Sequence, residues 1–440
     1  MYVMWLVVLV LTTWSLPGCS SLDYRMSCYY RWLHRDLKPG FLKQNLVLPS
    51  LKSICTHIIV SFATVGDDFR LNLTDVGKIE GLQRFIHEGR ATPTTKMMLS
   101  IGGGNGHGNF DQLVANESAV DIFQESVEEV FRLTGLDGLD IDWEFPSLLQ
   151  KDSFGQLLDR TRQTLDRVQK SRQASNSTEF ASGKQDGDRL ELSVALPGPF
   201  TLSSGYSIAH LKNNCTFMNV MTYDLVLYSP FFPLACFHNA LYGQSVRLFQ
   251  LHLLAVKFSM TNWVNLGLPK NMLLEGIPTY GVAYELADPK KTYPPALING
   301  YSSLGHNLNY DHICKMEADH PNNVRFDEKA RVPYVHDGKG NWVTYDNPQS
   351  VSEKAAFAVH EGYGGVMVFS LNADDPSGRC AGVRQHRRNN ETASSQEDDQ
   401  YTDLADSQIG EPFPLTKIIA SAYHEAREKQ SKQETTGSFS

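Results

Sequence analysis

The run Asp137-Gly138-Leu139-Asp140-Ile141-Asp142-Trp143-Glu144 sets three carboxylates at every second position. Read as a β-strand, it sends Asp140, Asp142 and Glu144 to one face and Leu139, Ile141 and Trp143 to the other. Successive acids then stand about 6.6 Å apart. Like charges held that close and shielded from water cannot all ionise, so at least one keeps its proton and its pKa rises. A carboxyl protonated near neutrality is what a general acid needs. Phe145 and Pro146 follow. Proline cannot continue a central strand, so Glu144 closes the strand at its C-terminal end. Two other readings of the run alone stay open. One is a divalent metal site; the other is a solvated edge strand, against which the apolar Leu139, Ile141 and Trp143 face argues.

Such a strand needs a frame to position it. Eight runs read as strands: Met26–Tyr30, His57–Ala63, Lys96–Ile101, Gly138–Trp143, Leu190–Leu196, Phe217–Tyr223, Met272–Ile277 and Gly365–Leu371. Helix-length segments such as Ala119–Thr134 and Phe154–Gln169 separate most of them. Near-continuous apolar strands alternating with helices predict a parallel sheet covered on both faces. Eight such units in 440 residues predict an α/β fold, a closed (β/α)8 TIM barrel, with the end of the Glu144 strand at its active-site face. A doubly wound open sheet is the alternative. It usually carries a Gly-rich phosphate turn after its first strand, and none follows Met26–Tyr30.

The longest gap lies between the seventh and eighth strands. Residues 284–350, with the strand-like Asn341–Tyr345 and the Gly-rich turn Asp337–Gly340, read as a small α+β insertion on the rim. The barrel then comprises residues 21–283 and 351–426. The polar stretches Ser171–Asp188 and Ala381–Gly410 read as mobile loops and residues 427–440 as a disordered tail, since none can bury enough apolar surface to fold.

Hydrophobic content of 41% and charged content of 20% are ordinary for a globular protein. A net charge of −9 without a block of Lys and Arg gives no footprint for nucleic acid or an anionic membrane. Residues 1–20 read as a signal peptide. The apolar Tyr2–Leu16 run is shorter than the roughly 20 residues of a spanning helix, and Gly18 and Ser20 suit a cleavage site. No basic residue precedes the run, which leaves an uncleaved anchor as the alternative. Cys19 leaves with the peptide, and six cysteines remain with no CxxC pair, so an oxidising compartment is expected and a zinc site is not. N-x-S/T sequons begin at Asn72, Asn116, Asn176, Asn214 and Asn390. These features predict a secreted, extracellular glycoprotein.

The carboxylate run resembles the DGxDxDWE motif of family-18 glycoside hydrolases, the chitinases and chitinase-like lectins. Further likenesses follow in the family's order: Ser100-Ile101-Gly102-Gly103 to SxGG, Met221-Thr222-Tyr223-Asp224 to MxYD, Ile277-Pro278-Thr279-Tyr280-Gly281 to the seventh strand, and Gly364–Leu371 with Asp374 and Asp375 to the eighth. Arg331–Asp346 is similar to the family's insertion domain. The likeness spans about Tyr24 to Ala426.

The resemblance implies a retaining, substrate-assisted glycosidase with no protein nucleophile, no metal and no cofactor. Glu144 would be the acid and then the base. Asp142 would orient the substrate's 2-acetamido group, Asp140 would share a proton with Asp142, and Tyr223 would hydrogen-bond the acetamido carbonyl. Bottom-up, the three acids supply one raised pKa and one lowered one. Tyr29, Phe62, Gly103, Gly104, Met221, Asp224, Tyr280 and Phe369 would line the sugar site. The same resemblance implies disulfides Cys28–Cys55 and Cys314–Cys380; Cys215 and Cys236 have no family partner, and a bond between them stays open. The expected partners are chitin or chitooligosaccharides, met by a monomer that associates with neither nucleic acid nor membrane.

Three aromatic positions depart from the pattern. Gly104 and Phe369 stand where the family usually has Trp, and Leu225–Pro233 holds no Trp. Aromatic faces hold pyranose rings through apolar contact, so weak binding of long chains is expected. The acids are all present, which favours an endo-acting hydrolase of β-1,4-linked N-acetylglucosamine chains. The missing aromatics favour a catalytically weak or inactive lectin. A Trp-poor cleft also suits the branched chitobiose core of N-glycans.

Overall fold

The computed structural model describes residues 24–32, 51, 54–90, 92, 94–104, 109–175, 189–243, 253–380 and 410–437. Eight parallel strands form a closed ring: β1 (Arg25–Arg31), β2 (His57–Val65), β3 (Lys96–Gly102), β4 (Gly138–Asp142), β5 (Glu191–Pro197), β6 (Phe217–Met221), β7 (Leu273–Pro278) and β8 (Gly365–Phe369). Each pairs with the next, β8 pairs with β1, and the β1–β2 ladder leaves no open edge in the ring. The (β/α)8 barrel read from the sequence is the fold, and the open-sheet alternative is excluded.

Two apolar layers follow from the period of two. Leu139 and Ile141 of β4 point outward and are fully buried in the outer core that also holds Phe123, Val127 and Phe131 of the helix after β3. That helix, Glu117–Thr134, begins where the Asn116 side chain accepts the backbone N–H groups of Ser118 and Ala119 and ends at Gly135, whose φ of 76° suits glycine. Each such side chain contributes about 1.5–3 kcal/mol by leaving water. Trp143 is wedged between Phe110 (5.3 Å, stacked) and Phe154 (5.4 Å, edge-on). Inside the ring, Tyr29, Ile59, Met98, Phe217, Leu274 and Met367 fill the bore.

The insertion leaves the barrel earlier than residue 284. Only Thr279 separates β7 from the strand Tyr280–Leu286, which already belongs to an antiparallel sheet with Ala296–Tyr301, Asn307–Asn309 and Asn341–Thr344. Leu273–Ala283 is one buried run with no proline or polar cluster after Thr279 to mark the exit. The sheet also recruits Leu234–Ala235 from the loop after β6. The expected turn is present: Asp337 Oδ1 accepts the N–H groups of Lys339, Gly340 and Asn341, joining Val332–His336 to Asn341–Thr344.

The tail expected to be disordered from 427 is helical to Gly437, within the helix Pro414–Gly437. Glu, Lys and Gln are good helix formers, and the helix is anchored upstream. Asp374 accepts the N–H groups of Leu415 and Thr416, and Phe413, Leu415 and Ile419 are buried. Likewise Lys151–Ser175 carries helix five residues into the segment read as a loop from Ser171. The rest of that segment, residues 381–409, residues 1–20 read as a signal peptide, and the sequons at Asn176 and Asn390 lie outside the described residues.

Both disulfides implied by the resemblance are present, Cys28–Cys55 and Cys314–Cys380. Cys215 and Cys236 are buried free thiols rather than a pair. Cys215 sits in the outer layer below β6, whereas Cys236 packs with Val226 in the loop above it. Among the described residues no helix is long and apolar enough to cross a membrane.

Candidate active site

Strand register builds the site. Ser100 of β3 and Ser193 of β5 lie opposite Asp140 in the two ladders that flank β4. Side chains paired in parallel strands share a face, so both hydroxyls meet the Asp140 carboxylate. Ser100 Oγ donates to Oδ2 over 2.7 Å and Ser193 Oγ to Oδ1 over 2.6 Å. The Tyr29 hydroxyl adds a bond to Oδ2 at 2.7 Å and Asn219 Nδ2 one to Oδ1 at 3.4 Å. Asp140 is fully buried. Burial raises its pKa and the four donors oppose that rise.

Asp142 lies one pleat nearer the mouth. It is buried, and its Oδ1 has no hydrogen-bond partner among the described residues. Burial, then Glu144, then Asp140 push its pKa well above the carboxylate range. Glu144 stands two residues beyond the last residue of β4 and faces the cleft. Burial first, and the charge of Asp224 second, push its carboxyl up to about 7. The three acids do face inward together. The expected lowered pKa is not found, since all three are raised. Tyr29, Ser100, Ser193 and Asn219 between them donate to both Asp140 oxygens.

The two SxGG glycines have separate reasons. At Gly102 (φ 117°) a Cβ would lie 2.1 Å from the Asp142 carbonyl oxygen. At Gly103 (φ 86°) it would strike the Phe62 ring at 2.8 Å. Only glycine lets β3 approach the acidic strand this closely, and the Gly103 N–H then donates to the Asp142 carbonyl over 2.9 Å.

A cleft of about 720 Å³ opens above these residues. Asp142, Glu144, Phe62, Gly103, Gly104, Met221, Tyr223, Asp224, Tyr280 and Phe369 all line it. Tyr29 does not: it is buried beneath Phe369, 5.6 Å between ring centroids, and serves Asp140. Its assignment to the sugar site is therefore corrected to a support beneath it, because the inward side of β1 at this level is covered by Phe369. Phe369 stacks on Tyr223 at 5.6 Å, so the floor is aromatic without tryptophan. Burial, then Asp142 and Glu144, hold the Tyr223 phenol protonated as a donor; the contact found for it is Met367 Sδ at 3.9 Å. A Cβ on Gly104 would sit 3.4 Å from both Glu144 oxygens, which puts this bare position directly against the acid.

Sequence reading missed Ser193, Asn219 and His238. The first two carried a readable signal: a polar residue within an otherwise apolar central strand needs a buried partner. His238 carried none, since it arrives from a long loop.

An acid with a raised pKa at the C-terminal ends of barrel strands, beside a buried carboxyl and a phenol donor, is the equipment of a glycoside hydrolase. The family model for glycosyl hydrolases family 18 matches residues 25–374, and the chain belongs to that family. It is 30% identical over 385 residues to an endochitinase of Manduca sexta, covering 81% of this chain and 65% of the relative. It is 28% identical over 375 residues to a probable endochitinase of Caenorhabditis elegans, covering 82% of this chain and 58% of the relative's length. Chitotriosidase-1 of Mus musculus is 28% identical over 388 residues, with 84% and 74% covered. Among solved structures, an immunomodulatory active chitinase from Trichuris suis superposes with a TM-score of 0.71 at 23% identity, covering 91% of this chain and all of that one. A class V chitinase from Nicotiana tobaccum gives 0.69 at 20%, covering 91% and 99%. These likenesses show the same fold.

Proposed function

We propose that this chain is a secreted, monomeric, endo-acting glycosidase of chitinase type that cleaves β-1,4-linked N-acetylglucosamine chains with retention. The observation that carries the reading is Glu144, a cleft-facing carboxyl raised to about 7, beside Asp142, whose buried Oδ1 has no partner among the described residues. Glu144 protonates the glycosidic oxygen. The substrate's 2-acetamido oxygen attacks the anomeric carbon, and the unpartnered Oδ1 of the Asp142 carboxyl accepts the acetamido N–H and orients the group. Tyr223 donates to the acetamido carbonyl. Water then opens the oxazolinium ion, with Glu144 as base. The endochitinase relatives and the fold support this, as does the fold's occurrence in a Nicotiana tobaccum chitinase in complex with NAG4.

A second reading rests on the floor of the cleft. Gly104 and Phe369 put no tryptophan face beside Glu144 or on Tyr223, although Trp32 lines the cleft, and the fold also serves human YKL-39, a pseudo-chitinase with retained chitooligosaccharide binding properties. A lectin, or a hydrolase for the branched chitobiose core of N-glycans, would suit such a cleft. Turnover of a fluorogenic chitotriose from about pH 3 to about pH 8, beside Glu144→Gln, decides. Turnover lost in the variant supports the chitinase. No turnover by folded wild type, with glycan released from a glycoprotein, selects the N-glycan enzyme. Binding without either reaction selects the lectin.

A further inference from the structure

His238 contacts neither Asp142 nor Glu144, yet it is fully buried against the cleft wall. Its Nδ1 lies 3.0 Å from Asp224 Oδ1 and 3.4 Å from the Asp224 N–H. Its carbonyl accepts the N–H of Leu225 over 2.9 Å. Side chain and backbone of His238 thus bracket Asp224, a residue at φ 52° in the left-handed region. Its other ring nitrogen, Nε2, is buried and has no hydrogen-bond partner among the described residues. A polar ring buried at that cost is there for the one bond it makes. Asp224 is 36% exposed at its side chain and lines the cleft, and its carboxylate is held there from two sides, by His238 and by a hydrogen bond with the Tyr280 side chain.

We propose that His238 is a positioning residue, fixing the Asp224 carboxylate in the cleft where its charge acts on Glu144. This rests on the reading of Glu144 as the acid. His238 is itself held from outside the barrel, three residues after Leu234–Ala235 joins the insertion sheet. The loop that joins the insertion sheet therefore sets the position of a charge that adds to burial in raising the acid. The titratable groups facing Asp224 are Glu144, Tyr223, Tyr280, Tyr284, Tyr301 and His306, besides His238. Burial holds the four phenols above their usual range, so they remain neutral, and it lowers His306. Those facing His238 are Asp224, Tyr280 (5.4 Å between rings) and His306.

The test follows the Glu144 carboxyl directly, by NMR of protein labelled with 13C-glutamate, with Glu144→Gln assigning the signal. In His238→Leu the titration of Glu144 moves down by about one unit. In His238→Asn, whose amide nitrogen sits near the Nδ1 position, it stays. Asp224→Asn moves it as far or farther, and adding His238→Leu to Asp224→Asn moves it no more. His238→Gln, whose amide sits near Nε2, replaces the leucine variant if that one does not fold. An unchanged Glu144 titration in a folded His238→Leu or His238→Gln protein overturns the proposal. So does an equal shift with Asp224 already replaced. The signal needs no turnover, so a failure of the hydrolase reading against chitotriose stays separate from a failure of this one.

Discussion

Tyr29, on the first strand, donates its hydroxyl to Asp140 on the fourth across the bore of the barrel, 2.7 Å from oxygen to oxygen. A residue with the chemistry of a sugar contact is thereby a brace for the acidic strand. Tyr29→Phe should cost about 1–3 kcal/mol in denaturant unfolding, because it leaves a buried carboxylate short of a charge-assisted bond. It should lower kcat more than it raises KM for a chitooligosaccharide. A change confined to KM would return Tyr29 to the sugar site.

Glu144 works as an acid only while protonated. With its carboxyl held at about 7, kcat/KM should fall tenfold per unit above that pH. Glu144→Gln should abolish turnover while keeping oligosaccharide binding by calorimetry. A wild-type rate that persists to much higher pH would remove Glu144 from the acid's role.

The same raised pKa costs stability. Unfolded, Glu144 ionises near 4.3. Between there and about 7 the unfolded chain has released a proton that the folded chain keeps, so this group's contribution to stability falls as pH rises through that window and levels off above it. Glu144→Gln should therefore match the wild type near pH 4 and exceed it near pH 7. The gain is on the order of 2 kcal/mol, reduced from the full shift because the carboxyl is partly solvated. Equal melting temperatures at both pH values would contradict the burial of this carboxyl.

Gly104 has no positive φ, and the nearest atoms its Cβ would meet are those of the Glu144 carboxyl, at 3.4 Å. Gly104→Trp should supply the missing aromatic face and lower KM for a chitotetraose by about 3–10-fold, the equivalent of a stacking contact. An unchanged or higher KM would mean that the sugar does not pass over this position.

Sequons differ in access. Asn72 and Asn116 are exposed, whereas Asn214 is buried and its Nδ2 donates to Asp159 over 2.6 Å and to the His210 carbonyl. Protein secreted from a eukaryotic host should carry glycan at Asn72 and Asn116 and none at Asn214, by peptide mass spectrometry. Glycan on Asn214 would require transfer before that contact forms.

The sequence by itself determined the barrel and its acids. Strand period and apolar content are local, so eight buried runs and the inward trio Asp140, Asp142 and Glu144 could be read residue by residue. Regions where one apolar run serves two sheets, as at Thr279, could not be divided that way, and the helix to Gly437 owes its anchor to Asp374, some forty residues earlier. What the acids do to one another was decided only in three dimensions. Ladder register brought Ser100, Ser193, Asn219 and Tyr29 onto Asp140 and left Asp142 with an unpartnered oxygen. A long loop carried His238 beneath Asp224. A pKa is the sum of burial and neighbours over all directions, and a linear sequence specifies only those along the chain.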